Sequence, residues 1–261
     1  MRENHVLNAW RENKQTIGGW LSIDSIHSAE TMAHIGFDWL CLDMQHGLLD
    51  FNDIKRILPA ISTTSTLPFV RVPWNEPYEI MKVLDAGAYG VIVPLVNNRE
   101  EAERAVAACR YPPEGMRSLG PIRAALYGGP GYIQEANEHM ACIVMIETAE
   151  ALENLDDILS TPGVNAAYIG PSDLAYALNM APTGDNSHPE HLIAVKKILA
   201  ACQKNGVAAG IHTLSLEYSL RYLDLGFNFV SLGADIAFLS RLARKELKEA
   251  RTASNNPQIK T

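Results

Sequence analysis

Two carboxylates stand at the ends of apolar, strand-like runs of this chain. Glu147 ends the run Cys142–Glu147, and Asp173 lies in the turn Ile169–Leu174, just beyond another apolar run. Because burying a lone charge is costly, two such carboxylates on neighbouring strands predict a cation that they share. The sequence therefore predicts a metal-dependent enzyme.

The turn Ile169–Leu174 has a second interpretation. Ser172 and Asp173 are residue types that favour the start of a helix, so they could simply cap one. A cap and a functional site are compatible, because the free backbone N–H groups at a helix start also bind anions. Glu147 is harder to explain by structure alone, since an isolated acid at a strand end needs a partner.

Further polar residues end or follow other strand-like runs. They are Asp43, with Gln45 and His46 close behind it, then Arg71 and His212. In a parallel barrel such side chains face the active site, so their convergence predicts a catalytic cavity. Structural alternatives stay open: a hydrogen-bonded pair of Asp43 and His46, a salt bridge from Arg71 to a carboxylate, and a core position for His212.

Apolar runs of strand length recur along the chain, and segments with helical, 3.6-residue spacing separate them. Strands that are apolar on both faces and alternate with helices indicate a parallel sheet. Repetition of this unit predicts closure into a (β/α)8 barrel, the TIM-barrel fold. The predicted strands are Ile17–Ile23, Asp38–Met44, Leu67–Val72, Gly90–Val96, Ala141–Glu147, Ala166–Gly170, Val207–His212 and Phe227–Gly233.

Some segments depart from this repeat. Tyr111–Met140 is long, rich in Gly and Pro, and contains Arg117, so we expect an active-site or subunit-contact loop there. Asn179–Pro189 is a second loop of similar character. We expect one barrel domain over residues 1–251 and a disordered tail over Thr252–Thr261.

The composition argues against several classes of partner. A net charge of −8 and a pI near 5.5 disfavour nucleic acid or an anionic membrane surface as the main partner. The polar N-terminus lacks the apolar region of a signal peptide, and no apolar run approaches the roughly 20 residues that span a bilayer. We therefore expect a cytoplasmic protein that acts on a small molecule.

Cysteine and histidine patterns do not indicate a metal site of their own. The 4 cysteines form no CxxC pair, which argues against a zinc site or a disulfide framework and favours a reducing compartment. His188 and His191 have i, i+3 spacing in a polar helix start, where we expect solvated surface rather than metal ligands.

Four segments carry a distinctive set of motifs, in order: Phe37–Gly47, Pro68–Pro73, Tyr111–Arg117 and Gly170–Leu174. In order and spacing they resemble the HpcH/HpaI family of class II, metal-dependent pyruvate aldolases, of the 4-hydroxy-2-oxoheptanedioate and 2-dehydro-3-deoxyglucarate aldolase type. The resemblance implies reversible cleavage of a 4-hydroxy-2-oxo acid into pyruvate and an aldehyde through a metal-stabilised pyruvate enolate. It also implies a divalent cation, Mg²⁺, Mn²⁺ or Co²⁺.

The resemblance implies a role for each matching residue. Glu147 and Asp173 would hold the cation, and Arg71 would bind substrate and stabilise the enolate charge. His46 would be the acid/base residue, and Asp85, which the strand pattern does not single out, would raise its basicity. The remaining residues would complete the site: Asp43 supports the acid/base network, while Gly170, Pro171, Ser172 and Asp173 surround the pyruvate carboxylate.

This sequence departs from the family pattern in ways that concern the substrate. Met145 stands where members often carry a glutamine that contacts pyruvate, Gln45 stands where many have glutamate, and His212 has no general family counterpart. We place Met145 and His212 in the substrate-binding set. Alternative activities are oxaloacetate decarboxylation, citrate formation or another carbon–carbon bond-forming reaction with the same enolate, and a non-catalytic binding barrel is a further alternative.

The resemblance also implies an assembly. Family members form homo-hexamers, typically trimers of dimers, with C-terminal helices exchanged between neighbours. Ile236–Arg251 has the amphipathic pattern of a helix that could be exchanged. The alternative is a final barrel helix that packs against its own chain.

Overall fold

The computed structural model describes residues 1–253 and contains a closed barrel of parallel strands in sequence order, β1 to β8. The predicted (β/α)8 fold and each predicted strand are confirmed, with ends that differ by at most three residues. The strands are β1 Thr16–Leu21, β2 Trp39–Asp43, β3 Leu67–Arg71, β4 Gly90–Val93, β5 Ala141–Ile146, β6 Ala166–Ile169, β7 Ala208–Ile211 and β8 Phe229–Ala234.

Helices connect the strands, and several begin or end on residues that cap a helix well. Asp50 and Asp53 form a capping box at the start of α3, and Gly206 ends α11 in the left-handed conformation that glycine adopts without a Cβ clash. The helices are α1 His5–Arg11, α2 Ile26–His34, α3 Phe51–Ile61, α4 Pro77–Asp85, α5 Arg99–Cys109, α6 Ile122–Gly128, α7 Tyr132–His139, α8 Ala149–Glu153, α9 Leu155–Leu159, α10 Pro171–Ala177, α11 Pro189–Asn205, α12 Leu216–Asp224 and α13 Asp235–Ala253.

Stacked aromatic rings fill the inside of the barrel. Trp39 stacks on Phe69 with ring centroids 5.7 Å apart, and Trp10 of α1 stacks on Phe229 at 4.3 Å. Glycines face these rings closely: a Cβ at Gly210 would lie 2.2 Å from the Phe229 ring. Because this packed layer and α1 fill the amino-terminal end of the barrel within residues 1–253, we expect a ligand to enter at the carboxyl ends of the strands.

The prediction that Tyr111–Met140 forms a loop was wrong, because the segment contains the helices α6 and α7. It connects the end of α5 to the start of β5 and therefore lies at the amino-terminal end of the barrel. The interpretation as an active-site loop of its own chain is not supported by this position. The interpretation as a subunit contact remains a proposal, which exposed apolar side chains of the segment support. They are Met116, Leu119, Ile122 and Leu126.

The last helix, α13, extends to Ala253, so Thr252 and Ala253 of the predicted tail are helical. The rest of that tail, residues 254–261, lies outside the described residues. Only Asp235 of α13 is buried, and several of its leucines are exposed, so this helix does not bury an apolar face against its own barrel. Within residues 1–253, no helix is long and apolar enough to cross a membrane.

Candidate active site

A cavity of about 180 Å³ opens at the carboxyl ends of the strands. Larger clefts lie along α13 and between α3 and α4, but no polar strand ends converge in them. Most of the predicted site residues line the cavity, with Asp43 and Glu147 directly behind it. The lining residues are His46, Arg71, Met145, Tyr168, Gly170, Pro171, Ser172, Asp173 and His212.

Asp43 and Arg71, at the ends of the paired strands β2 and β3, form a two-pronged ion pair. Arg71 donates from Nε to Oδ1 of Asp43 at 2.8 Å and from Nη2 to Oδ2 at 2.6 Å. The Oδ1 atom also accepts the backbone N–H groups of Gln45 and His46 at 3.1 and 3.3 Å. Asp43 therefore fixes both the guanidinium and the backbone that carries the exposed His46.

The electrostatics of this pair keep both groups charged. Burial pushes the pKa of Asp43 upward, but the hydrogen bonds and charge of Arg71 and the two N–H groups outweigh it, so the pKa lies below its ordinary value. Arg71 also stacks over Trp20, with its Cζ 4.5 Å from the ring centroid, and its Nη1 lies 3.9 Å from Sδ of Met145. The third nitrogen of Arg71 thus points along the cavity.

Glu147 lies just beyond β5 and is 3% exposed. Its Oε1 accepts the N–H of Leu95 at 2.9 Å, and Leu95 adopts a φ of 53°, a left-handed conformation that a leucine rarely takes. Its Oε2 faces Gly170, where a Cβ would lie only 2.3 Å away. Burial, together with the charge of Asp173, raises the pKa of Glu147 to about 7, although the N–H of Leu95 and the charge of Arg71 oppose this shift.

These features fit a divalent cation. Glu147 is a buried carboxylate with one backbone donor and a second carboxylate, Asp173, close enough to raise its pKa. A cation between them would reverse that repulsion and favour the charged form. Within the described residues, no group of 3 or more His, Cys, Asp or Glu side chains could hold a metal. Two carboxylates leave coordination positions for substrate and water, as a hard ion requires.

The turn that carries Asp173 is the start of α10. Gly170 is its N-cap and Pro171 its first residue, while the N–H groups of Ser172 and Asp173 have no acceptor within the described residues. His191 of α11 is fully buried, with Nε2 3.1 Å from the carbonyl oxygen of Pro171. The predicted solvated position of His191 was therefore wrong, because α11 packs this side chain against the turn.

His212 follows β7 and lies on the floor of the cavity. Its Nδ1 lies 3.3 Å from both Tyr168 Oη and Ser231 Oγ, and Trp20 packs edge-on against its ring at 5.2 Å. Burial, reinforced by the positive charge of Arg71, lowers the pKa of His212 to about 4. The imidazole is therefore uncharged at neutral pH.

Asp85 is the predicted site residue that the chain does not bring to the cavity. It ends α4, which leads into the amino-terminal end of β4, and its Oδ1 accepts a 2.8 Å bond from Nη2 of Arg117. The barrel therefore separates Asp85 from His46 of the same chain. Trp20, Tyr168 and Leu95 are site residues that the sequence pattern did not indicate.

Comparison with known proteins agrees with this geometry. The model of the HpcH/HpaI aldolase/citrate lyase family matches residues 16–241. A hydroxypyruvate/pyruvate aldolase of Rhizorhabdus wittichii is 40% identical over 95% of this chain and 99% of its own length. A 4-hydroxy-2-oxo-heptane-1,7-dioate aldolase of Escherichia coli is 39% identical over 92% of both chains.

A solved structure gives the same result. The HpcH/HpaI aldolase/citrate lyase family protein of Burkholderia cenocepacia superimposes with a TM-score of 0.89 and 36% identity, over 95% of this chain and 99% of that one. Together with the strand-end cavity, these matches identify the chain as a member of the HpcH/HpaI aldolase/citrate lyase family.

Proposed function

We propose that this chain is a metal-dependent carbon–carbon lyase that reversibly cleaves a 4-hydroxy-2-oxo acid into pyruvate and an aldehyde. The observation that carries the proposal is one cavity lined by the exposed Asp173 and by Arg71. The buried Glu147 lies behind it, near enough to Asp173 to feel its charge, and Asp43 pairs with Arg71. The names of the aldolase relatives from R. wittichii and E. coli support the same reaction class.

Glu147 and Asp173 would hold the divalent cation, and Mg²⁺, Mn²⁺ or Co²⁺ suits this pair of oxygen ligands. When bound, such an ion would act as a Lewis acid on the 2-oxo group of the substrate. The free N–H groups of Ser172 and Asp173 would donate hydrogen bonds to the substrate carboxylate, in the manner of a helix start that binds an anion.

The other side chains of the site would bind the substrate and transfer a proton. Arg71 has Nη1 free of Asp43, so it can donate to the oxygen that gains negative charge during carbon–carbon cleavage. His46, exposed at the cavity rim, would take the proton from the substrate hydroxyl and return it in the reverse direction. Asp43 would keep Arg71 and the His46 backbone in place. For Asp85 to act on His46, a neighbouring chain would have to present it.

Replacing Glu147 by Gln tests the proposal, with Glu150→Gln as a matched control. Glu150 is exposed on the adjacent helix α8, so the same chemical change there leaves the cavity intact. We expect Glu147→Gln to lower kcat/KM for retro-aldol cleavage by about 10²-fold or more, and a chelator to abolish the wild-type activity. Full activity in Glu147→Gln, or cleavage that survives the chelator, would contradict the proposal.

A requirement for an aldehyde distinguishes the proposed reaction from the alternative reactions of the same enolate. With pyruvate and a panel of aldehydes, the proposed lyase consumes pyruvate only when an aldehyde is present. Oxaloacetate decarboxylation would instead form pyruvate without an aldehyde, and citrate formation would need a different acceptor. Running the panel with Mg²⁺, Mn²⁺ and Co²⁺ in turn also identifies the preferred ion.

We also infer a homo-hexamer, arranged as a trimer of dimers. The support is the uncovered apolar face of α13, where Leu239 and Leu242 are 62% and 59% exposed. Exchanging α13 between neighbours would cover this face. Light scattering of Leu239→Ser/Leu242→Ser should then give a smaller species than the wild type, and an unchanged mass would contradict the exchange.

A further inference from the structure

His212 is anchored on one side only. Its Nδ1 belongs to a triangle with Tyr168 Oη and Ser231 Oγ, in which each nitrogen–oxygen distance is 3.3 Å and the two oxygens are 3.2 Å apart. The two oxygens are already acceptors, because Trp20 Nε1 donates to Tyr168 at 3.1 Å and the backbone N–H of Thr213 donates to Ser231 at 3.2 Å.

Hydrogen-bond accounting within this triangle selects one tautomer. The hydroxyl groups of Tyr168 and Ser231 supply two hydrogens, and one of them can satisfy the other hydroxyl oxygen while the second is donated to Nδ1 of His212. A hydrogen on Nδ1 would leave one of the three hydrogens without an acceptor in this buried place. The uncharged imidazole therefore carries its hydrogen on Nε2, on the side opposite the triangle.

That hydrogen is a donor on the cavity floor. His212 lines the cavity, its ring is held edge-on by Trp20 at 5.2 Å, and no residue within the described part of the chain accepts from Nε2. The neighbouring floor is formed by the thioether of Met145 and the ring of Tyr168. The floor thus offers one oriented, neutral donor, beside the charged Nη1 of Arg71 that lies 3.9 Å from Sδ of Met145.

The place of this donor indicates what it can bind. In the proposed function, the carboxylate and the 2-oxo group of the nucleophile are taken by the start of α10, the cation and Arg71. Carbon 3, where the new bond forms, is then left to face the rest of the lining, which includes Met145, Tyr168 and His212. A neutral donor suits a neutral hydroxyl rather than a second charged group.

We propose that His212 is a specificity-determining residue whose Nε2–H binds a hydroxyl group on carbon 3 of the 2-oxo acid. The chain then prefers 3-hydroxy-2-oxo acids, with hydroxypyruvate as the simplest, over pyruvate as nucleophile. This inference rests on the proposed function, because it uses the same cavity and the same orientation of the substrate.

Substitutions of His212 can separate its two nitrogens. His212→Gln places an amide N–H near the Nε2 position, His212→Asn places an amide near the Nδ1 position, and His212→Phe keeps the ring without either nitrogen. We expect the ratio of kcat/KM for hydroxypyruvate to kcat/KM for pyruvate, with one common aldehyde, to exceed one in the wild type. The ratio should fall about tenfold in His212→Asn and His212→Phe and remain closer to the wild type in His212→Gln.

Equilibrium binding gives a readout without turnover. Calorimetric titration of hydroxypyruvate and of pyruvate into the Mn²⁺-loaded protein, with no aldehyde, should show the same order of preference across wild type and variants. Circular dichroism confirms that each variant is folded before it is scored. A wild-type preference for pyruvate, or an equal loss of both substrates in every variant, would overturn the inference and leave His212 with a structural role.

The two proposals fail in different ways. If the wild type lacks metal-dependent aldol activity with any 2-oxo acid, the proposed function fails, and the preference in Mn²⁺-dependent binding still decides the role of His212. If the wild type is active but the preference does not depend on Nε2, only the inference about His212 fails.

Discussion

The two ends of the barrel each hold a buried arginine–aspartate pair under an aromatic ring. At the carboxyl end, Arg71 uses two nitrogens on Asp43 and stacks over Trp20 at 4.5 Å. At the amino end, Arg117 uses only Nη2 on Asp85, at 2.8 Å, and its Cζ lies 4.4 Å from the ring centroid of Tyr111. The residue types are the same, but the surroundings differ.

The difference lies in where the remaining nitrogens point. Nη1 of Arg71 faces the cavity, where a ligand can reach it. Nε and Nη1 of Arg117 are buried and have no hydrogen-bond partner in the described structure, and Tyr132 shares its Nη2. A buried ion pair can thus bind a ligand only when it borders a cavity, and the barrel places that cavity at the carboxyl end. The amino-end pair does not border that cavity.

The largest expected effect concerns the carboxyl-end pair. Arg71→Lys keeps the positive charge but cannot hold both oxygens of Asp43 and also donate to the substrate. We expect kcat/KM for aldol cleavage to fall 10²- to 10³-fold while the thermal midpoint stays within a few degrees. The exposed Arg99→Lys is the control and should be neutral. Wild-type kinetics in Arg71→Lys would remove the proposed distinction between the two ends.

The amino-end pair should respond in the opposite way. Arg117→Met leaves Asp85 without its cation, and because Asp85 is 29% exposed we expect a loss of about 3 kcal/mol in the free energy of unfolding, at the low end for a broken buried pair. Urea unfolding measures this loss, and kcat per folded molecule should not change. A fall in kcat at full stability would instead support a catalytic role for Asp85.

Glycines at the two ends offer a finer test. A Cβ at Gly170 would lie 2.3 Å from Oε2 of Glu147, whereas a Cβ at Gly120, in the segment before α6, meets nothing within 4 Å. Gly170→Ala should displace the carboxylate and weaken Mn²⁺ binding by about 10- to 100-fold, as a disturbed metal ligand does. Gly120→Ala should leave binding unchanged. Equal Mn²⁺ affinities in a calorimetric titration would show that Glu147 does not depend on this contact.

The sequence predicted the carboxyl end better than the amino end for a physical reason. Parallel strands bring their polar ends to one edge, so Glu147, Arg71 and Asp43 could be grouped from their positions after apolar runs. Trp20 and Tyr168 could not, because aromatic residues inside such runs look like ordinary core. Only the fold brings Trp20 Nε1 within 3.1 Å of Tyr168 Oη.

Other features depend on packing that no local pattern encodes. His191 begins a polar helix, yet α11 buries it against the carbonyl group of Pro171. Leu95 takes a left-handed conformation that is rare for leucine, and in it the N–H group reaches Glu147. The helices α6 and α7 are short and bounded by glycine and proline, so Tyr111–Met140 has the composition of a loop.

The smallest expected effect distinguishes the two ends by their response to pH. The folded chain holds His212 with a pKa of about 4, whereas an unfolded histidine has a pKa of about 6.5. Between these values the unfolded chain binds a proton that the folded chain excludes. The contribution of His212 to the free energy of unfolding is therefore fully present above pH 6.5. It decreases as the pH falls toward 4, and about 2 kcal/mol of it is lost at pH 5.

His212→Phe removes this contribution, so its loss of stability between pH 7.5 and pH 5 should be about 2 kcal/mol smaller than that of the wild type. Glu147 acts in the opposite direction, because its raised pKa favours the folded state as the pH falls, but both proteins share it and it cancels in the difference. At the amino end, burial raises the pKa of Tyr89 and Tyr111, which therefore stay uncharged throughout this range. Urea unfolding at the two pH values decides the matter: identical pH dependence in both proteins would mean that His212 is hydrated in the folded chain and does not contribute to the pH response of the carboxyl end.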